Sequence, residues 1–157
     1  MKQFLGFLIL FALVAFKPTE PTKLDLLKAK YAPLAQKYQK EYGVPASIQL
    51  AQAFVESHYG TSPLAIHTNN HFGITKGDDW DGDCTIAEAG KLFRCYDSDT
   101  ASWEDHAKFL HKHYPTAMGQ HWKLWAKNCR GYGGPDYWYQ IGQIIKRHKL
   151  YEYDRLD

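Results

Sequence analysis

Metal-binding frameworks are missing from this sequence. It has no C-x-x-C pair and no H-E-x-x-H, so a zinc centre has no ligand set to build on. A dominant charge is missing too. Nineteen Lys and Arg stand against 17 Asp and Glu, a formal net charge of +2, which excludes nucleic-acid binding driven by charge alone. Cysteine is scarce, with three residues, and there is no internal repeat or low-complexity tract. The longest apolar run, Phe4–Phe16, is too short for an ordinary membrane span. Composition and length exclude a collagen, a coiled coil and a multi-span membrane protein. What is present is 157 residues, one domain's worth, of which 45% are apolar. Aromatic residues reach 15%, enough for a tight small core or a groove lined with rings.

The start of the chain reads as an address rather than as fold. Met1–Lys2 is a positive start, and the run behind it, broken only by Gly6, has the length of a signal-peptide core. Cleavage is expected after Ala15, with an uncleaved N-terminal anchor as the alternative. Residues 1–15 are therefore assigned to the signal, 16–22 to an extended linker carrying Pro18 and Pro21, and 23–157 to a single folded domain. Export permits disulfides. Ten residues separate Cys84 from Cys95, with Gly90 near the midpoint, so a hairpin would set the two thiols across from each other. A Cys84–Cys95 bridge with Cys129 unpaired is expected; three reduced thiols packed as small hydrophobes are the alternative.

Periodicity predicts a mostly helical chain. Thr22 and Asp25 form a capping box before Leu24, Leu27, Tyr31, Leu34 and Tyr38, with Pro33 kinking this run or starting a second helix. Gly43 ends it. Pro45 starts the next helix, apolar on most faces and therefore buried, which runs to Tyr59 and stops at Gly60. Residues 61–83 read as loop with a short turn at Ser62–Ala65, and Cys84–Ile86 with Leu92–Tyr96 as a small hairpin. Ser102 and Asp105 make a second capping box for a helix through Trp103, Ala107, Leu110 and Tyr114. A short helix holds Trp122, Trp125 and Cys129, and Pro135 opens the last one.

Only six glutamates occur, and four of them, Glu20, Glu41, Glu104 and Glu152, fall in tails or at helix ends. Glu56 differs. It lies in the last turn of the apolar helix, where desolvation and the negative end of the helix dipole both raise a carboxyl pKa. A carboxylic acid kept protonated near neutral pH is what a glycosidase uses on a leaving oxygen. An exposed Glu on the polar edge with Gln49 and Gln52 is the plainer reading.

Residues 43–60, GVPASIQLAQAFVESHYG, resemble the opening helix of the glucosaminidase domain family (glycoside hydrolase family 73), whose members cut peptidoglycan glycan strands. The likeness continues through Thr61–Ala65, then Asn69–Asn70–His71–Phe72–Gly73–Ile74, where the family usually has Leu at the His71 position. It goes on through Trp80–Asp81–Gly82, Phe93–Arg94–Cys95–Tyr96, Asp105–His106 and Gly131–Tyr132, followed by Pro135 and Tyr137. It spans nearly all of residues 31–154. The resemblance implies a lysozyme-like, two-lobed α+β fold, mostly helical, with a small β-hairpin lobe and a groove between the lobes.

Carried onto this chain, Glu56 matches the family's catalytic acid. Tyr132 matches the Tyr of the family's GYATDP motif, although this chain reads Gly–Tyr–Gly–Gly–Pro–Asp there. A second carboxylate often stands on the family's hairpin; Glu88 is the nearest candidate, with Asp81 and Asp83 as rivals. The candidate substrate-binding residues are Asn70, Phe72 and Gly73 on the groove floor, Trp80 in its polar loop, and Tyr137.

Other clusters carry less. Asp78, Asp79, Asp81 and Asp83 begin like a calcium loop, but Cys84 and Gly90 stand where Gly and Glu are needed. His106, His111 and His113 are expected on a helix surface. The expectation is an exported, periplasmic or secreted monomer that needs no metal or cofactor and acts on peptidoglycan glycan strands, most simply after N-acetylglucosamine. It touches a membrane only through the N-terminal segment if that is uncleaved. Cutting after N-acetylmuramic acid is the alternative within the class, and a wall-binding module without activity is the alternative outside it.

Overall fold

A computed structural model describes residues 20–86, 90–129 and 131–156. The expected signal segment and Glu88 lie outside the described residues. Thr22 opens helix α1 (Lys23–Tyr42): its hydroxyl accepts from the Asp25 N–H at 3.2 Å, and the Asp25 carboxylate accepts from the Thr22 N–H at 3.1 Å. Contrary to the expected kink or restart, α1 runs unbroken through Pro33. Pro33 and Ala29, whose carbonyl the proline leaves without its helical donor, both face solvent. Water can satisfy that carbonyl. Gly43 closes the helix at φ 76°, its N–H donating to the Gln39 carbonyl.

Helix α2 (Ala46–Glu56) is the centre of the molecule. Every residue from Ala46 to Ala53 is buried. A helix wrapped on all sides must satisfy its polar side chains internally. Gln49 Nε2 donates to the Ala35 and Val44 carbonyls, each at 3.0 Å. Ser47 donates from its N–H and its hydroxyl to the Asp154 carboxylate, at 2.8 and 2.7 Å. Asp154 ends a 3₁₀ turn, Leu150–Asp154, that packs on α2 along with α1 and the last helix. The helix stops at Glu56, three residues short of the expected Tyr59. The Ser57 hydroxyl donates back to the Ala53 carbonyl and accepts from the Gly60 N–H at 2.7 Å, which turns the chain away. His58 and Tyr59 then take left-handed conformations.

The expected turn after Ser62 is a full short helix, α3 (Pro63–Thr68), capped by the Ser62 hydroxyl. Strands β1 (Cys84–Ile86) and β2 (Leu92–Arg94) form the antiparallel hairpin, and Thr75 bridges to Phe93 on the other edge of β2. The register corrects the disulfide expectation. Cys84 pairs with Arg94, while the Cys95 N–H donates to the Asp83 carbonyl, so the two cysteines are one step out of register and both thiols are free. Cys129 is a free thiol buried in the core.

Helix α4 (Asp99–His113) begins at a Ser98 cap, not at Ser102. Ser102 is fully buried, and its hydroxyl accepts from the His71 N–H at 3.1 Å. A 3₁₀ turn (Trp122–Leu124) leads into α5 (Trp125–Asn128). The last helix, α6 (Tyr137–Arg147), starts two residues beyond Pro135, which sits in the preceding turn. Trp103, Trp125, Tyr38, Leu50, Ile141 and Ile145 are fully buried in one core. Trp138 packs against it half-buried.

Two buried polar side chains tie the hairpin lobe to the helices. Arg94, 5% exposed, donates to the Thr75 carbonyl at 3.2 Å, to Asp105 at 3.0 Å and to Asp79 at 2.7 Å. Its guanidinium lies 4.9 Å from the Trp80 ring centre. Tyr96 donates to the same Asp105 carboxylate at 2.7 Å. His106, expected on the surface, is fully buried instead and stacks face to face on Phe72, with ring centres 3.7 Å apart. It faces inward because it lies three residues after Trp103 and four before Leu110, on the buried face of α4. Neither ring nitrogen meets a hydrogen-bond partner among the described residues, and burial pushes its pKa down to about 3.

Arg94→Met leaves the Asp105 and Asp79 carboxylates without their shared cation, and is expected to lower stability by about 3 kcal/mol in urea unfolding. Arg94→Lys should recover less than half of that loss, since an ammonium cannot reproduce the fork. The His106 effect has a definite sign. Its folded pKa lies below the ordinary 6.5, so the unfolded chain binds the extra proton and stability falls as pH drops from about 6.5 towards 3. Melting curves at pH 7 and pH 5 should show His106→Phe losing this part of the acid sensitivity, at most about 1.4 kcal/mol per pH unit.

Candidate active site

Glu56 is where the central helix leaves the core. Burial is complete as far as Ala53, Phe54 and Val55 are half-buried, and Glu56 itself is open to solvent. The protein around the carboxyl still displaces enough water to raise its pKa, and the Tyr137 hydroxyl beside it pulls in the opposite direction. The carboxyl thus combines access for a substrate with a preference for its proton.

Four residues gather round it. Gly73, at φ 61°, brings its backbone so close that an added Cβ would lie 3.9 Å from Glu56 Oε2 and 4.0 Å from the Phe93 ring. Strand β2 therefore reaches the acid through Gly73. Tyr137 comes from the start of α6, and Gln52, one helical turn before Glu56, donates from Nε2 to the Tyr137 hydroxyl at 3.1 Å. Tyr132 lies against Tyr137 with ring centres 5.4 Å apart. Burial, and then the Glu56 charge, hold the Tyr132 phenol above its ordinary pKa; burial does the same for Tyr137, followed by the neighbouring Tyr132 and Glu56. Both phenols keep their protons and can donate.

The departure at Gly131–Tyr132–Gly133–Gly134 has a steric reason. The Tyr137 ring rests directly on Gly133, at φ 74°, where any Cβ would collide with the ring. The His71 departure is also built in. His71 is buried, its Nδ1 accepts from the Trp103 indole N–H at 3.3 Å, and Tyr31 meets it edge-on.

The other candidates sit differently. Asn70 is 1% exposed. Its amide donates to the Ile74 and Arg94 carbonyls, each at 2.9 Å, and its oxygen accepts from the Ile74 N–H. It stitches the 70–74 turn to β2. Phe72, 3% exposed, is core, held by His106 and Trp103. Both lie buried in the 70–74 turn beside Gly73. Trp80 is half-buried, with its indole N–H donating to the Asp83 carbonyl at 2.8 Å and its ring against Arg94 and Tyr96. Asp81 and Asp83 are exposed in the loop before β1. Glu88, between the strands, lies outside the described residues. Gln52, Gly133 and the Arg94–Asp105 pair carried no assigned role in the sequence reading. A glutamine on an otherwise apolar buried helix, four residues before the acid, was the available signal.

The family model described as mannosyl-glycoprotein endo-beta-N-acetylglucosaminidase, the glucosaminidase family, matches residues 32–150. The exo-glucosaminidase LytG of Bacillus subtilis is 32% identical over 143 residues, covering 78% of this chain and 51% of its own length. The peptidoglycan hydrolase FlgJ of Pseudomonas aeruginosa is 35% identical over 101 residues, covering 55% of this chain and 25% of its own. The chain thus spans about half or less of the curated relatives it matches. In fold, it is similar to the catalytic domain of the autolysin Auto from Listeria monocytogenes, with a TM-score of 0.74 at 24% identity over 92% of this chain and 99% of that one. The fold is the mostly helical, lysozyme-like one with a two-stranded hairpin lobe. The chain belongs to the glucosaminidase family.

Removing the Tyr137 hydroxyl has a calculable sign. That hydroxyl lowers the Glu56 pKa, so Tyr137→Phe raises it. An acid that must be protonated to act is lost as pH rises through its pKa. The alkaline limb of the Tyr137→Phe pH–rate profile should therefore move to higher pH than in the wild type, even as the maximal rate falls.

Proposed function

We propose that this chain is an exported peptidoglycan hydrolase that cleaves the β-1,4 bond after N-acetylglucosamine, with Glu56 as general acid. The observation that carries the reading is a solvent-open carboxyl with a raised pKa, seated beside Gly73, Tyr132 and Tyr137 where the hairpin lobe meets the helices. Family membership and the named activities of LytG and FlgJ support the substrate class.

In the proposed reaction, protonated Glu56 gives its proton to the glycosidic oxygen as the bond from that oxygen to the anomeric carbon breaks. The leaving sugar departs as an alcohol. The positive charge that develops on the anomeric carbon is met by a second group: Glu88, a loop aspartate at Asp81 or Asp83, or the substrate's own acetamido oxygen. Water then adds to the anomeric carbon, and its proton returns to the Glu56 carboxylate. Tyr132 and Tyr137, protonated throughout, stand beside the acid as donors to the sugar or to Glu56. Trp80 offers the remaining ring on the hairpin side for a sugar face. The N-terminal segment, read as a signal peptide or anchor, takes the domain to the wall, where it works as a monomer on glycan strands.

Glu56→Gln should fold as the wild type does and lose at least about 10²-fold in hydrolysis of purified cell-wall glycan. Turnover within a few-fold of wild type would sink the assignment. Mass spectrometry of the products identifies the bond: N-acetylglucosamine at the new reducing end is expected, and N-acetylmuramic acid there would reassign the enzyme as a muramidase. Glu88→Gln separates the second-step readings, since a strong loss points to the hairpin carboxylate and a mild one to an aspartate or the acetamido group.

A further inference from the structure

On the far side of α2 from Glu56 lies a cavity of about 640 Å³ that the hydrolytic reading does not use. Phe54 lines it, and two residues along an α-helix are about 200° apart, so Phe54 and Glu56 face opposite ways. The cavity is walled by the start of α1, the end of α2 and the end of α6. Its floor is aromatic: Tyr59 meets Phe54 edge-on with ring centres 4.1 Å apart, and His148 tilts over Phe54 at 5.6 Å. Its rim is cationic, with Lys23, Lys28, Arg147 and Lys149. The carboxylate in the lining, Asp25, is already paired with Lys28 at 2.7 Å. Lys23, Arg147 and Lys149 have no ion-pair partner among the described residues.

Left-handed residues at two helix ends frame this place. Among the described residues, four that are not glycine take left-handed conformations: His58, Tyr59, Asn69 and Lys149. Tyr59 and Lys149 line the cavity, and His58 is adjacent. The bend at 58–59 folds the Tyr59 N–H back onto the Phe54 carbonyl at 3.2 Å and lays its ring on the floor. The one at 149 carries a lysine to the rim. Each such residue costs about 1 kcal/mol or more and persists only where surrounding structure requires it. Lys149 follows the last turn of α6, where its N–H donates to the Lys146 carbonyl at 3.3 Å and the chain turns to bury Leu150, which leaves the Lys149 side chain exposed at the rim.

We propose that this cavity is a second ligand site, for a phosphate carried on a sugar or polyol, as in an anionic envelope polymer. The cations meet the phosphate, and the aromatic floor takes the apolar face of the attached ring or chain. The volume suits one or two such units. His148, whose pKa is lowered by burial and then by Arg147 and Lys28, stays neutral and adds a hydrogen-bonding nitrogen without another charge. The site holds a polymer against the domain while Glu56 works elsewhere, so its occupancy is separable from hydrolysis.

The test titrates the full chain with glucose 6-phosphate, glucose and inorganic phosphate, followed by calorimetry. Glucose 6-phosphate should bind saturably, at least about tenfold tighter than glucose or inorganic phosphate alone, and more weakly as salt is raised. The double variant Arg147→Gln/Lys149→Gln changes two exposed side chains and should fold normally. It should lose at least about tenfold in this binding while hydrolysing purified glycan within about twofold of wild type. Absence of saturable binding, equal binding of glucose, or unchanged affinity in the double variant would overturn the proposal. So would binding confined to phosphatidylglycerol vesicles with none to glucose 6-phosphate, which would make the rim a membrane contact. Because binding and hydrolysis are read separately, failure here leaves the role of Glu56 untouched, and an inactive wild type leaves this site testable.

Discussion

A helix buried on every side sets the terms for the rest of this structure. From Ala46 to Ala53, α2 has no face left for water, so the donors of Ser47, Gln49 and Gln52 are answered inside the protein, while the Gln49 and Gln52 side-chain oxygens meet no partner among the described residues. Those partners come from far along the chain: Ala35 in α1, Tyr137 at the head of α6, and Asp154 in the closing 3₁₀ turn. The elements round α2 are there partly to bury its apolar surface and partly to answer its hydrogen bonds. The placing of Glu56 follows, because it is the first residue of this helix to be fully exposed, after the half-buried Phe54 and Val55.

The acid is built from two kinds of support. From the helical side, Gln52 and Tyr137 form a short relay whose ring geometry depends on a bare Gly133. From the hairpin side, Gly73 approaches the carboxyl through a turn held by Asn70 and by the buried Arg94. The hairpin itself is only three paired residues a strand, too little to stand alone in water. Arg94 compensates by joining that ladder to α4 through Asp105 and to the preceding loop through Asp79. The hairpin is thereby held to the helices through one guanidinium rather than through sheet area.

Much of this was legible in residues. The Thr22–Asp25 box, the Gly43 stop, the buried α2 and the hairpin strands follow from local chemistry that tertiary contacts do not override. Glu56 stood out because a carboxylate at the end of an apolar helix has few structural uses. What misled was choice among equivalent local signals. Ser98 and Ser102 both offer a cap, and only burial of Ser102 against His71 decides between them. Pro33 looks like a break until its solvent-facing side is known. The cysteine spacing suited a bridge, yet a shift of one residue in a ladder moves a side chain to the other face. Phe72 and His106 read as surface or groove residues because no local rule announces that two rings will stack in the core.

The hydrogen bonds from Ser47 to Asp154 cross 107 positions of sequence. Until residue 154 has been synthesised, the Ser47 N–H and hydroxyl in the middle of the fold have no acceptor, and leaving them unanswered while buried is costly. Helix α2 therefore cannot settle into its final surroundings while the chain is still emerging from a ribosome. The closing turn Leu150–Asp154 is thus part of the core helix's own wiring, and a chain that stops short of Asp154 lacks an acceptor for which the interior shows no substitute among the described residues.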